Sequence, residues 1–273
     1  MSMLAGEKFE LKLLPSNIVN LHEECEDNRY GKLMDRFNGE KVLYNPLIVA
    51  KYEDKFILID GANRFEALRN IGCRIILAQL VDYSSTNVVL KSWYHFVSGM
   101  SMDDMINYAN QNSISYTRWR PGMKPESKEQ LVVISTSNDA ICLNLSSSLE
   151  MMLKSLSILN KYYENEFSYS RIDSDTDISD VKKLSPDEGL LFVFPEFSKS
   201  DIVTIAGLNQ KLPAGISRHL IPNRVLHIKI LIDALMTDEH LDKRNEDLEK
   251  YVQFKIDTKK VRLYREPLLV FDE

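Results

Sequence analysis

The sequence predicts a mixed α/β protein, and three observations carry that reading. Short apolar or alternating runs of strand length interleave with stretches of helical spacing from Phe9 to Val81. One of those runs, Ile57-Leu58-Ile59, ends at Asp60-Gly61, after which a helical pattern begins at once. The composition is that of an ordinary globular chain, with 273 residues, 44% hydrophobic and 27% charged. At roughly 150 residues per domain this length suits one large domain or two modest ones.

Element by element, Phe9 to Leu14 alternates as a strand and stops at Pro15. Asp27 to Asn38 reads as a short polar helix closed by Asn38-Gly39. Leu47 to Tyr52 and Phe56 to Ile59 form a hairpin across Glu53-Asp54-Lys55. The helix after Gly61 places Phe65, Leu68 and Ile71 on one face, and Gly72 sits where a helix end favours glycine. Arg74 to Val81 returns as a strand, and Asn87 to Phe96 reads as a helix with Val89, Trp93 and Phe96 as its stripe. Further on, Gln130 to Leu145 is expected as a hairpin turning at Ser137-Asn138-Asp139. Ser148 to Tyr163 is the strongest helix, Leu190 to Phe194 a buried strand, and Ser200 to Leu208 a helix. Leu226 to Met236 and Thr237 to Phe254 complete the helical content, and Val261 to Phe271 alternates like a final strand. No repeat and no flexible linker separates the parts, so residues 1–100 and 101–273 are expected as two domains packed together.

Charge and cysteine content narrow the function classes. The net charge is −6, and residues 151–210 hold six basic against ten acidic side chains. That argues against a dedicated nucleic-acid binder. No run approaches the ~20 apolar residues of a membrane span, and the first ten residues lack a signal-peptide core. Cys25, Cys73 and Cys142 are odd in number and widely spaced, which suits thiols in a reducing cytoplasm. The five histidines show no zinc-ligand spacing. Asp173-Ser174-Asp175-Thr176-Asp177 imitates the start of a calcium loop, but Ile178 and Leu184 stand where glycine and glutamate are required. It reads as an acidic loop. Arg118-Trp119-Arg120 precedes Pro121-Gly122 and reads as a surface turn.

The stretch from Ile57 to Arg64 is the most informative. A helix start presents unpaired N–H groups and the positive end of a dipole, so it receives phosphate well. Gly61 allows close backbone approach, and Arg64 can add a charge-assisted fork. On these residues alone, a plain helix cap by Asp60 with a solvated Arg64 stays open as the other reading.

The Asp60-Gly61-x-x-Arg64 turn, followed by Ala67-Leu68, resembles the phosphate-binding turn of the ParB and sulfiredoxin fold, and within it the free L-serine kinases. Leu13-Leu14-Pro15, Leu21-His22-Glu23, Trp93, Pro213-Ala214-Gly215-Ile216-Ser217-Arg218-His219 and Arg262-x-Tyr264-Arg265-Glu266 extend the likeness in order along nearly the whole chain. Asn63 departs from it, standing where those kinases usually carry histidine; asparagine can donate a hydrogen bond but adds no charge. Sulfiredoxin chemistry is excluded, because it needs a cysteine in this turn and positions 62 and 63 are Ala and Asn.

The resemblance implies an N-terminal ParB/sulfiredoxin-like domain and a C-terminal α/β domain that completes a serine site. It implies a kinase making O-phospho-L-serine from free L-serine, with ATP favoured over ADP as donor, magnesium as the accompanying ion, and a siderophore or other specialised-metabolite setting. By resemblance Glu23 is the general base; read alone, Glu23, Glu24, Glu26 and Asp27 form an ordinary acidic loop. Asp60, Gly61, Ala62, Asn63 and Arg64 would hold the nucleotide phosphates, with Asp60 also placed among the catalytic residues. Trp93, Ser217, Arg218 and His219 would hold the amino acid, Arg218 taking its carboxylate, although Trp93 suits core packing equally well. The alternatives are a ParB-like nucleotide-dependent DNA-binding regulator, or a degenerate kinase acting as a sensor. Oligomeric state is not legible in these residues.

Overall fold

A computed structural model of the chain describes residues 2–4 and 6–264. Contacts divide it into two units, neither of them one continuous stretch. Among the described residues, the first comprises those up to Asn20, Glu26–Val88 and those from Ile221 to Tyr264; the second comprises Leu21–Cys25 and Val89–Leu220. The division differs from a single cut near residue 100, because the C-terminal helix returns to the N-terminal strands.

In the first unit, β1 (Ser2–Leu4), β2 (Glu7–Pro15), β3 (Val19–Leu21), α1 (Asp27–Glu40), β4 (Val42–Leu43), β5 (Leu47–Tyr52), β6 (Lys55–Asp60), α2 (Ala62–Ile71) and β7 (Ile75–Val81) follow one another. Six of these strands form a sheet in the order β1-β2-β7-β5-β6-β3, with β5 and β7 parallel and β5–β6 the expected hairpin. Leu47, Ile48, Val49 and Ala50 are all buried, as expected of a strand covered on both faces. Phe65, Ala67 and Leu68 are the residues α2 buries.

The second unit holds β8 (Val89–Ser98), α3 (Met102–Gln111), β9 (Tyr116–Arg118), β10 (Gln130–Ser135), β11 (Ala140–Asn144), α4 (Leu149–Glu166), β12 (Ser168–Asp173), β13 (Gly189–Val193), α5 (Lys199–Gly207) and β14 (Ser217–Leu220). Its sheet runs β12-β8-β13-β10-β11-β9, with β14 also paired to β8. Tyr94, Phe96, Val132, Ile134, Leu191 and Val193 share one packed cluster. The apolar stripe of α4 buries Met152, Leu153, Leu156, Leu159 and Tyr163. Capping boxes at Ser101/Asp104 and Ser198/Asp201 open α3 and α5.

The chain then returns to the first unit with β15 (Ile230–Leu231), which pairs with β4, and α6 (Leu241–Asp257). On α6, the Asn245 amide accepts from the Leu13 N–H at 2.8 Å and donates to the Leu13 carbonyl at 3.1 Å, so the helix clamps β2 through its backbone.

Two expected helices are absent. Residues 87–96 belong mostly to β8: the spacing of Val89, Trp93 and Phe96 imitates a helix, but the segment is rich in β-branched and aromatic residues and has β12, β13 and β14 as partners. Residues 226–236 are broken by positive φ at His227 and Lys229 and yield only β15 and a short 3-10 turn at Ile232–Leu235. The strand expected over Val261 to Phe271, and Arg265-Glu266 within it, falls outside the described residues from 265 on; residues 261–264 are not strand.

Candidate active site

The phosphate-type turn lies wholly in the first unit. β6 delivers Asp60 and Gly61 begins α2 at φ 105°, ψ 32°, a conformation open to glycine and costly for other residues. A Cβ at Gly61 would also press on the Arg64 guanidinium, its nearest atom 3.0 Å away. No side chain caps the helix, so Asp60 is not a cap, and the first-turn N–H groups lack partners within the helix. The Asp60 carboxylate instead accepts from Arg64 at 2.7 Å and from Arg224 at 3.1 Å. Arg64 further donates to the carbonyls of Pro46 at 2.9 Å and Asn45 at 3.2 Å. It thus stitches the turn to a neighbouring loop.

Arg224, which no sequence motif singles out, shares the carboxylate from a segment held by a buried amide. Gln79, 2% exposed, donates to the Asn223 carbonyl at 3.0 Å and accepts from the Val225 N–H at 2.8 Å. Two guanidinium groups on one carboxylate leave a net positive charge beside the helix start. Asn63 is engaged elsewhere, since its side-chain oxygen accepts from the Glu26 N–H at 2.9 Å and fixes the entry to α1.

The second cluster lies wholly in the second unit. A parallel bridge joins Glu23 to Leu212, secured by Glu24 N–H to the Leu212 carbonyl at 2.7 Å and Leu212 N–H to the His22 carbonyl at 2.9 Å. It carries Glu23 to the turn at Pro213-Ala214-Gly215. One carboxylate oxygen of Glu23 accepts from the Gly215 N–H, the other from the Ser217 hydroxyl at 3.0 Å. Because the Ser217 proton goes to Glu23, His22 must donate its Nε2–H to Ser217, 3.0 Å away. His219 stands edge-on to His22, with ring centroids 5.4 Å apart. Glu24 is bonded instead by Ser157 of α4 at 3.1 Å, so the two adjacent glutamates have different partners.

Strand alternation separates the four residues expected to hold an amino acid. Ser217 pairs with Ser92 and Arg218 with Lys91 across β14 and β8, so Ser217 and His219 face one way and Arg218 the other. Arg218 lies 4.1 Å over the Trp93 ring and pairs with Asp173, which stands opposite Trp93 on β12. A hydrogen bond from the Asp175 backbone, then the Arg218 guanidinium, holds the Asp173 carboxyl below its ordinary range. The segment read as an acidic loop therefore supplies the partner of Arg218. The sequence carries no local sign of this pairing, and none of Arg171, whose guanidinium packs so closely on Gly215 that a Cβ there would overlap it.

Among the described residues no group of three or more His, Cys, Asp or Glu could hold a metal ion. Asp60, the carboxylate of the phosphate-type turn, is already shared by Arg64 and Arg224, so a magnesium ion there would be held chiefly by the nucleotide phosphates it accompanies. No described helix is long and apolar enough to cross a membrane.

No family model matches the chain. Among curated proteins it is similar to an ATP-dependent L-serine kinase of Staphylothermus marinus, 28% identical over 221 residues, spanning 77% of this chain and 83% of the relative. It is also similar to the ATP-dependent L-serine kinase SbnI of Staphylococcus aureus, 28% identical over 32% of this chain and 34% of that protein. A third relative, the ADP-dependent L-serine kinase SerK of Thermococcus kodakarensis, is 25% identical over 34% of this chain and 39% of its own length. The fold is that of C-terminally truncated SbnI from Staphylococcus aureus, with a TM-score of 0.70 at 20% identity over 91% of this chain and 97% of that one. A free serine kinase in complex with AMP shares it, with a TM-score of 0.69 at 15% identity over 84% and 95%.

Proposed function

We propose that this chain is a free L-serine kinase, which transfers a phosphoryl group from a nucleotide to the hydroxyl of free L-serine and releases O-phospho-L-serine. The observation that carries the reading is the Glu23 carboxylate, only 17% exposed and gripped by the Gly215 N–H and the Ser217 hydroxyl. A carboxylate fixed at both oxygens is oriented to accept a proton through its remaining lone pairs. The serine hydroxyl gives its proton to Glu23, its oxygen forms the new bond to phosphorus, and the phosphorus–oxygen bond to the leaving nucleotide breaks.

The residues divide by role. The N–H groups of Gly61, Ala62 and Asn63 meet phosphate oxygens, and Arg224, the more exposed of the two guanidinium groups on Asp60, adds the cation there. Arg64 acts by building the turn, since its guanidinium is committed to Asp60 and two carbonyls. Arg218 receives the serine carboxylate with its fork, stiffened by Trp93 and Asp173. Ser217 and His219 serve through Glu23 and His22. Magnesium, when bound with the nucleotide, neutralises phosphate charge. We assign ATP as donor, supported by the name of the Staphylothermus marinus relative, which aligns over most of both chains. A cytoplasmic setting is supported by the thiols of Cys25, Cys73 and Cys142, as suits a reducing compartment.

The test is phosphorus NMR of the protein with magnesium and L-serine, ATP in one tube and ADP in another. A phosphoserine resonance growing with ATP is the expected result. Growth only with ADP overturns the donor assignment. No product in either tube, with nucleotide still bound by calorimetry, replaces the kinase with a nucleotide sensor.

A further inference from the structure

The second unit buries a histidine that the reaction as described leaves unused. His95, on β8, is 0% exposed. Its Nδ1 lies 2.6 Å from the Tyr163 hydroxyl and its Nε2 2.9 Å from the Gly215 carbonyl. Tyr169 and Phe194 pack on the ring at 4.7 and 4.9 Å between centroids. Burial, aided by the Arg171 cation, lowers its pKa to about 3, so the ring is neutral wherever the enzyme works.

A neutral imidazole has one N–H, and the Gly215 carbonyl can only accept. The proton therefore sits on Nε2 and points at Gly215, and Nδ1 takes the proton of Tyr163. The Tyr163 hydroxyl is shared between Nδ1 and the side-chain oxygen of Asn160, donating to both. The hydrogen bonds from Tyr163 through His95 to the Gly215 carbonyl then run one way, and the Gly215 N–H bonds Glu23. Gly215 is the soft link, with φ 77° and no side chain to anchor it.

We propose that His95 is a positioning residue for Glu23: by holding the Gly215 carbonyl through Nε2–H, it fixes the turn whose N–H orients the carboxylate. The proposal rests on the reading of Glu23 as the base. It predicts a loss confined to turnover, because His95 touches neither substrate.

His95→Leu should lower kcat at least about tenfold, the size of one lost buried hydrogen bond, with both KM values within about twofold. His95→Gln, whose side-chain nitrogen can reach the place of Nε2, should recover most of the rate. Nitrogen-detected NMR of the histidine rings should show His95 with Nε2 protonated and Nδ1 bare from about pH 5 to 8, the range in which an ordinary histidine titrates. Equal kcat in His95→Leu and wild type, equal loss in the Leu and Gln variants, or a ring that titrates in that range would each overturn the proposal. If His95→Leu does not fold, Tyr163→Phe decides: kcat should fall several-fold at unchanged KM, and an unchanged kcat overturns it. Glu23→Gln run alongside separates the two ideas. An active Glu23→Gln defeats the base assignment, whereas an inactive Glu23→Gln with an unimpaired, folded His95→Leu defeats only the positioning.

Discussion

The turn at Gly61 and the carboxylate site at Glu23 solve opposite problems with opposite materials. The first is built from charge and an uncapped helix start: Asp60, Arg64 and Arg224 lie within one sequence neighbourhood and one returning loop, all partly exposed. The second is built from hydrogen bonds and burial, with His22 3% and Ser217 9% exposed around Glu23. A site for a polyanion needs field and open donors, whereas a general base needs its lone pairs aimed. The contrast teaches that salt should weaken the first and leave the second alone, since screening acts on exposed charges.

The hardest test of the contrast is Glu23→Gln. Turnover should fall by about 10² to 10⁴, the worth of a positioned base, with nucleotide affinity by calorimetry unchanged; wild-type kcat would remove the distinction. Arg218→Ala comes next, raising the serine KM about 10- to 100-fold for a lost charge-assisted pair of ~1.5–3 kcal/mol. A change in nucleotide KM instead would place Arg218 with the other ligand. Arg224→Ala should raise the nucleotide KM about tenfold at low salt, and less in ~0.5 M salt; steady-state kinetics at the two ionic strengths reads this directly. His95 gives a pH signature on stability. Its folded pKa lies below the unfolded one, so the unfolded chain binds the extra proton as pH falls from about 6.5 toward about 3. The stability it confers is complete above that window and declines through it by at most about 1.4 kcal/mol per pH unit. In His95→Gln, urea melts between pH 7 and pH 4 should lose that part of the slope. The smallest effect belongs to Asn63→His, a few-fold change in turnover; a drop in melting temperature would show that the Asn63 bond to the Glu26 N–H matters more than the added charge.

How much of this the sequence discloses follows the same divide. The Gly61 turn is local: an apolar strand, a glycine and a helical stripe are consecutive in the chain, and the helix ends at Gly72 as the pattern predicts. The Glu23 site joins residues nearly two hundred positions apart, and in the sequence only the family resemblance links Ser217 to Glu23. Ser217 and His219 face one way from β14 and Arg218 the other, a division that three consecutive residues do not disclose in the sequence. Helical spacing puts Trp93 on an apolar stripe, whereas on β8 its ring meets the Arg218 guanidinium. Gln79 and His95, each without a motif, acquire their roles only through what folding sets beside them.

The discontinuity of the first unit has a consequence for how the protein is made. Leu13 on β2 waits for Asn245, and Gln79 on β7 waits for Asn223 and Val225, so the N-terminal sheet emerges from the ribosome well before its last partners. Residues 89–220, nearly continuous, can close their own contacts first. The later domain in sequence is then the earlier one to fold, and the early strands must wait, edges open, through more than half the time of synthesis.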